Sequence, residues 1–308
     1  MFAQVLLGVT GNPAVRTVMT RSRLSRSVVS RFVPGEDVEA AETAVRSLTG
    51  AGLRASLDYL GEDITTVAQA VETVGTYRSV VSRLADAGLA EGNEVSVKLS
   101  ALGQSLGPDG PKRATERAHD LVQHATAHGV DVTLDMESHT TVDDTLETLR
   151  TLRAEFPRVG CVLQTMLFRT EGDARDLAHP GSRVRLVKGA YAEPVSVSYA
   201  KKADTKQAYV ECLRILVAGG AYPMIATHDL GMVRHAEQLL AEHGKGPADA
   251  EFQMLYGIRT REQRRLAAAG RTVRVYVPFG TDWYGYFTRR LAERPANLAF
   301  FLRALISR

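Results

Sequence analysis

Eight short apolar or β-branched runs, separated by longer stretches in which apolar residues recur at helical period, constrain this chain more than any other feature. The runs occupy residues 55–59, 94–99, 131–135, 160–164, 184–188, 223–227, 251–255 and 273–277. Their starts lie 22 to 39 residues apart, room for one strand, one helix and two loops each time. Strands alternating with helices at this spacing make a parallel α/β sheet. Eight such units match a (β/α)8 barrel in count and length, whereas a doubly wound sheet usually needs fewer strands. The spacing therefore predicts a barrel over residues 54–308 behind a helical arm over residues 1–53. In the arm, Glu36 and Asp37 favour a helix start, and Gly50 and Gly52 its stop. Arg16, Arg21, Arg23, Arg26 and Arg31 read most simply as a solvated face.

Charge narrows the function. Lys plus Arg number 38 against 35 for Asp plus Glu, a net +3 that is mild for a nucleic-acid binder, so small-molecule chemistry is expected. Cys161 and Cys212 supply neither a four-thiolate zinc site nor a disulfide framework, and they suit a reducing compartment. The first eight residues lack a basic leader region, and no run approaches the ~18 apolar residues needed to span a bilayer. The expected address is the cytoplasm.

The C-terminal strand ends of a barrel form its active-site face. Here they would bring together Lys98, Ser100, Asp135, Glu137, Gln164, Lys188, Tyr191, His228, Asp229, Gln253, Tyr256 and Asp282. Gly189 and Ala190 just beyond the fifth run let backbone N–H groups approach an anion, with Lys188 adding charge; a plain βα turn needing glycine is the alternative. Asp135, Glu137, His139, His228 and Asp229 admit a metal-dependent hydrolase, although no His-x-His or His-Glu-x-x-His pattern is present, and the same strands could line a dry flavin site. A helix over residues 282–294 would place Tyr286, Arg289, Arg290 and Glu293 in one stripe. Adjacent arginines at a barrel mouth can grip a carboxylate bidentately; on a peripheral helix they would be an ordinary surface pair.

Taken together, Val97-Lys98-Leu99-Ser100, Leu134-Asp135-Met136-Glu137, Leu163-Gln164, Arg185 to Tyr191, Ala226-Thr227-His228-Asp229, Glu251 to Gly257 and the stretch 286–297 resemble the proline dehydrogenase family, in the same motif order. The resemblance implies a distorted (β/α)8 barrel whose last helix lies over the mouth, which would turn Arg289 and Arg290 inward. It implies oxidation of L-proline to Δ1-pyrroline-5-carboxylate, with hydride passing from proline C5 to N5 of FAD and electrons then reaching a membrane quinone. Carried over residue by residue, it makes Arg289 and Arg290 the carboxylate clamp, with Lys98 beside them and Tyr276, Tyr286 and Leu186 around the substrate ring. Asp135 and Arg185 match catalytic positions, Arg185 near flavin N5. Met136 and Gln164 would contact the isoalloxazine, Lys188, Gly189, Ala190, Thr227 and His228 the phosphate and ribose, and Glu293 the adenosine end. No metal is implied, and membrane contact would be peripheral, at the inner face of the cell membrane. The rival readings are another FAD barrel such as a methylenetetrahydrofolate reductase, the metal-dependent hydrolase, and a non-catalytic barrel.

Overall fold

The computed structural model describes residues 29–61 and 64–287. Eight parallel strands pair in sequence order and close on themselves, β8 with β1. They are β1 (Arg54–Tyr59), β2 (Glu94–Val97), β3 (Asp131–Leu134), β4 (Gly160–Gln164), β5 (Arg183–Val187), β6 (Tyr222–Ala226), β7 (Glu251–Leu255) and β8 (Thr272–Phe279). Helix α1 (Val38–Gly50) precedes the barrel. The intervals between strands hold α2 (Val67–Asp86), α3 (Gly110–Ala127), α4 (Val142–Arg153), α5 (Thr170–Leu177), α6 (Lys202–Ala218), α7 (Leu230–Glu242) and α8 (Thr260–Ala268). Each run expected from the sequence is a strand, shifted at its ends by a few residues at most.

The two faces of the strands divide the chemistry. Leu57, Val95, Leu134, Leu163, Val184, Ile225, Phe252 and Val275 are fully buried or nearly so in one apolar core that also contains the inner faces of the helices. Burying such side chains is worth roughly 1.5–3 kcal/mol each, so this outer layer supplies most of the driving force. The barrel interior is different: Asp58, Glu94, Lys98, Asp135, Arg183, Arg185, Glu251 and Arg274 are all the buried charged residues among those described. Four are cations and four are anions. That balance lets them be buried at all, because an unpaired charge in this position would cost several kcal/mol.

In the lower part of the barrel, Arg274 donates from Nε and Nη2 to the two oxygens of Glu251 at 2.7 and 2.8 Å. Its Nη1 reaches the carbonyls of Ala55 and Gly92 at 3.0 and 2.9 Å. Arg183 Nη2 donates to Glu94 Oε2 at 2.6 Å, and its Nη1 pairs with Asp131 Oδ2 at 2.5 Å. Burial alone would raise the Glu94 pKa, but Arg274, Arg185 and Arg183 bring it down from 4.5 to about 2.

The barrel is distorted at its seam. Helix α1 packs against β1, β8 and α2, the slot in which a helix following β8 would ordinarily lie. Beyond β8 the helical residues 283–287 turn elsewhere. Trp283, Tyr286 and Phe287 join a second apolar cluster with Val29, Phe32, Val33, Leu60 and Ile258. Leu60 and Ile258 lie just past the C-terminal ends of β1 and β7, so the last helix begins on the mouth side, as the resemblance implied. Trp283 Nε1 ties this turn to Glu36 Oε1 at 2.8 Å. Gly257 allows the arrangement: its φ is +72°, and a Cβ there would stand 1.7 Å from the Arg31 carbonyl oxygen.

Among the described residues no helix is long and apolar enough to cross a membrane. Cys161 and Cys212 are buried free thiols, and burial pushes their pKa values up to about 11 and about 12, which suits packing rather than nucleophilic chemistry.

Candidate active site

Alternation along the strands turns a set of polar side chains inward above the charged layer. Arg185 on β5 reaches across the barrel to β1, β2 and β3. Its Nη1 donates to Asp135 Oδ1 at 2.6 Å and to Ser96 Oγ at 2.7 Å. Its Nη2 donates to Glu94 Oε1 at 2.6 Å and to Ser56 Oγ at 3.0 Å. Burial would lower the Arg185 pKa, but the carboxylates of Asp135 and Glu94 outweigh it and hold the value above the ordinary one.

Asp135 is the hub of this upper layer. Besides Arg185, it accepts from Ser96 Oγ at 2.8 Å and, through Oδ2, from the Tyr276 hydroxyl at 2.7 Å. Lys98 Nζ lies 3.8 Å from the same Oδ2 and donates to Asp58 Oδ1 at 2.7 Å. The Arg185 guanidinium carbon stands 5.2 Å from the centre of the Tyr276 ring, within cation–π range. Burial, together with the charges of Asp135 and Asp58, pushes the Tyr276 pKa well up, so its hydroxyl remains a donor. Tyr77, from α2, braces the floor by donating to the Ser96 carbonyl at 2.7 Å and accepting from the Tyr59 N–H at 3.1 Å.

The ends of β4 to β7 build the other half of the mouth. Gln164 Nε2 donates to the carbonyls of Met136 and Glu137 at 2.9 and 3.1 Å, which fixes its amide orientation and aims Oε1 elsewhere. Gly189 follows β5 with φ +99°, and a Cβ there would come within 2.4 Å of Met166 Sδ. Both facts call for glycine, and they leave bare backbone at the rim. Lys188 Nζ lies 3.7 Å from Asp229 Oδ2, with Lys206 Nζ at 3.4 Å from the same oxygen. Asp229 caps α7, accepting from the N–H groups of Gly231 and Met232 at 2.9 and 3.3 Å. His228 Nε2 accepts from the Leu255 N–H at 3.0 Å, which assigns the acceptor role to that nitrogen. Thr227 is buried beside it, its Oγ1 accepting from the Asp229 N–H at 3.2 Å, and Ala190 is exposed at the rim.

Two buried polar atoms of this mouth have no partner among the described residues: the Arg185 Nε donor and the Gln164 Oε1 acceptor. A buried group in that state costs roughly 1–3 kcal/mol, so the pair suits a ligand offering both an acceptor and a donor.

The expected residues thus divide. Lys98, Asp135, Arg185 and Tyr276 form one connected cluster, and Met136 and Gln164 adjoin it through Glu137 and the β3 end. Lys188, Gly189, Ala190, Thr227 and His228 follow β5 and β6. Leu186 does not join them: Arg185 points inward, so alternation sends Leu186 to the helix-facing side, where it is fully buried in the outer core. Tyr286 is buried in the cluster around Trp283. Arg289, Arg290 and Glu293 lie outside the described residues. The residues of the hydrolase reading are each engaged separately: Glu137 accepts from Ser100, His139 pairs with Glu193, and Asp229 caps a helix. Among the described residues no three His, Cys, Asp or Glu side chains are grouped to hold a metal ion. Sequence reasoning missed Ser56, Asp58, Glu94 and Ser96. Their signal was a polar residue at every second position of β1 and β2, on the face opposite Leu57 and Val95.

Comparison with known proteins assigns this architecture. A family model described as proline dehydrogenase matches residues 41–303. The chain is similar to proline dehydrogenase of Deinococcus radiodurans, 39% identical over 310 residues that cover 99% of this chain and 98% of that one. It is also similar to proline dehydrogenase 1 of Bacillus subtilis, 35% identical over 308 residues covering 100% of both. Among solved structures, proline utilization A from Bdellovibrio bacteriovorus, inactivated by N-propargylglycine, shares the fold with TM-score 0.81 at 24% identity, covering 87% of this chain and 33% of that one. Proline utilization A from Bradyrhizobium japonicum gives TM-score 0.73 at 27% identity over 97% of this chain and 34% of that one, so this chain spans about a third of these larger proteins. By the family model and by full-length identity to the curated relatives, the chain belongs to the proline dehydrogenase family.

Proposed function

We propose that this chain oxidises L-proline to Δ1-pyrroline-5-carboxylate with FAD as its resident cofactor and a membrane quinone as the final acceptor. The observation that carries the reading is the cluster of buried Arg185, Asp135 and Lys98 with half-buried Tyr276 at the mouth of a family barrel, with Arg185 Nε and Gln164 Oε1 both awaiting partners. An isoalloxazine edge offers acceptor and donor groups side by side, so the residues present fit it. Gln164 and Met136 would hold the ring system, and Lys188, Gly189, Ala190, Thr227 and His228 the phosphate and ribose, with Glu293 at the adenosine end. FAD, when bound, supplies the two-electron acceptor for the carbon–nitrogen bond.

The chain's own groups do the rest. Lys98, Arg289 and Arg290 bind the proline carboxylate, and a fixed carboxylate orients the ring for reaction. Tyr276 and Tyr286 bound that ring. Asp135 holds Arg185, Tyr276 and Lys98 in register by accepting from, or standing beside, each of them. Arg185 places a fixed positive charge where negative charge develops during turnover. The chain works in the cytoplasm and meets the quinone through peripheral contact with the membrane; this part of the reading rests on the family alone.

The test is turnover with an artificial electron-accepting dye. L-Proline should reduce the dye and yield a product lighter by two hydrogens, read by mass spectrometry. Reduction of the bound flavin by a nicotinamide donor, with no response to proline, would overturn the reading in favour of a reductase.

A further inference from the structure

We infer that Glu94 is a positioning residue of the redox site, fixing the Arg185 guanidinium from below and setting the charge that this arginine presents to the cofactor. The inference rests on the proposed placement of Arg185 beside the flavin, and the test separates the two claims.

Glu94 opens β2 and is fully buried. Its Oε1 accepts from Arg185 Nη2 at 2.6 Å, while its Oε2 accepts from Arg183 Nη2 at 2.6 Å and Thr133 Oγ1 at 3.0 Å. Arg274 Nε lies 3.7 Å from Oε1. Glu94 is therefore the link between the charged layer deep in the barrel and the arginine at the mouth. Arg185 has both terminal nitrogens saturated by Asp135, Ser96, Glu94 and Ser56, and only Nε is left without a partner among the described residues. Two anchored nitrogens fix the plane of the guanidinium, and with it the direction in which Nε–H points. Asp135 cannot do this alone, since it also serves Tyr276 and stands beside Lys98. Among the described residues Glu94 bonds to neither Tyr276 nor Lys98, so it neutralises Arg185 and holds it without sharing that duty with the substrate side.

Glu251 provides the control. It is as deeply buried, but its ion pair is with Arg274, and its other partners are Gln253 and Tyr222. Losing either carboxylate should cost stability. Only the loss of Glu94 should reach the flavin.

The measurement is the midpoint potential of bound flavin in purified holoenzyme, together with thermal unfolding. Glu94→Gln removes a negative charge beneath Arg185, and the reduced, more negative flavin should be favoured about tenfold, about 30 mV upward for a two-electron couple. Glu251→Gln should lower thermal stability comparably and change the reduced-to-oxidised ratio less than threefold. Should Glu94→Gln fail to fold, Glu94→Asp keeps the charge but withdraws the carboxylate from Arg185, and is expected to move the ratio at least threefold while Glu251→Asp does not. Arg185→Met serves as the reference. A potential that moves in Arg185→Met and stays put in the Glu94 variants overturns the inference and leaves the reading of Arg185 intact. A potential unmoved by Arg185→Met overturns that reading, and the inference falls with it.

Discussion

Replacing Arg274 by methionine should lower the unfolding free energy by about 3–5 kcal/mol, the usual cost of breaking a buried ion pair from one side. Arg274 is 1% exposed, and its hydrogen bonds all go to Glu251 and to the Ala55 and Gly92 carbonyls, which join β8 to β7, β1 and the approach to β2, while its Nε also lies 3.7 Å from Glu94. Methionine fills much of the volume and returns none of these bonds. Among the described residues it also leaves the Glu251 carboxylate with only the hydrogen bonds from Gln253 and Tyr222. The double variant Arg274→Met with Glu251→Met should recover most of the loss, because burying neither charge avoids the desolvation that each requires. Denaturant unfolding at fixed pH checks both. A single-variant loss below about 1 kcal/mol, or a double variant as unstable as the sum of its parts, would show that the interior charges are not the paired lattice described.

Asp135→Ala should reduce kcat/KM for proline about a hundredfold or more, with a smaller effect on stability. The reason is geometric: Asp135 is bonded to Arg185, Tyr276 and Ser96 and stands beside Lys98, so one truncation releases several groups whose placement the reaction needs. A misplacement near 1 Å is enough to cost about 10²-fold in rate. Asp135 sits at the mouth rather than in the lower lattice, so the fold should tolerate the change better than it tolerates loss of Arg274. Steady-state kinetics on well-folded variant protein decides the matter, and a fall of less than threefold would remove Asp135 from the positioning role.

The strands were legible because their outward faces are apolar at every second position and their spacing leaves room for one helix each. The mouth residues were legible only in part. Lys98 and Asp135 directly follow strands and Gln164 ends one, so the rule that barrel strands end at the active site finds them. Glu94 and Arg274 escaped because a charged residue within an apolar run, as in Val273-Arg274-Val275, reads locally as solvent-facing; only closure of the barrel turns that face into an interior. Leu186 was misplaced for the opposite reason. It neighbours Arg185 in sequence, and in a strand neighbours point to opposite sides. The turn of the chain after β8 was not written in any periodicity; it follows from α1 already filling the seam and from Gly257 admitting the Arg31 backbone.

The most direct test of the account is the visible absorption spectrum of the purified protein under anaerobic conditions, before and after L-proline is added. The account predicts an oxidised-flavin band that bleaches with proline. A flavin band unmoved by proline would contradict the substrate assignment, and a protein that takes up no flavin when FAD is supplied would contradict the reading of the mouth as a flavin site.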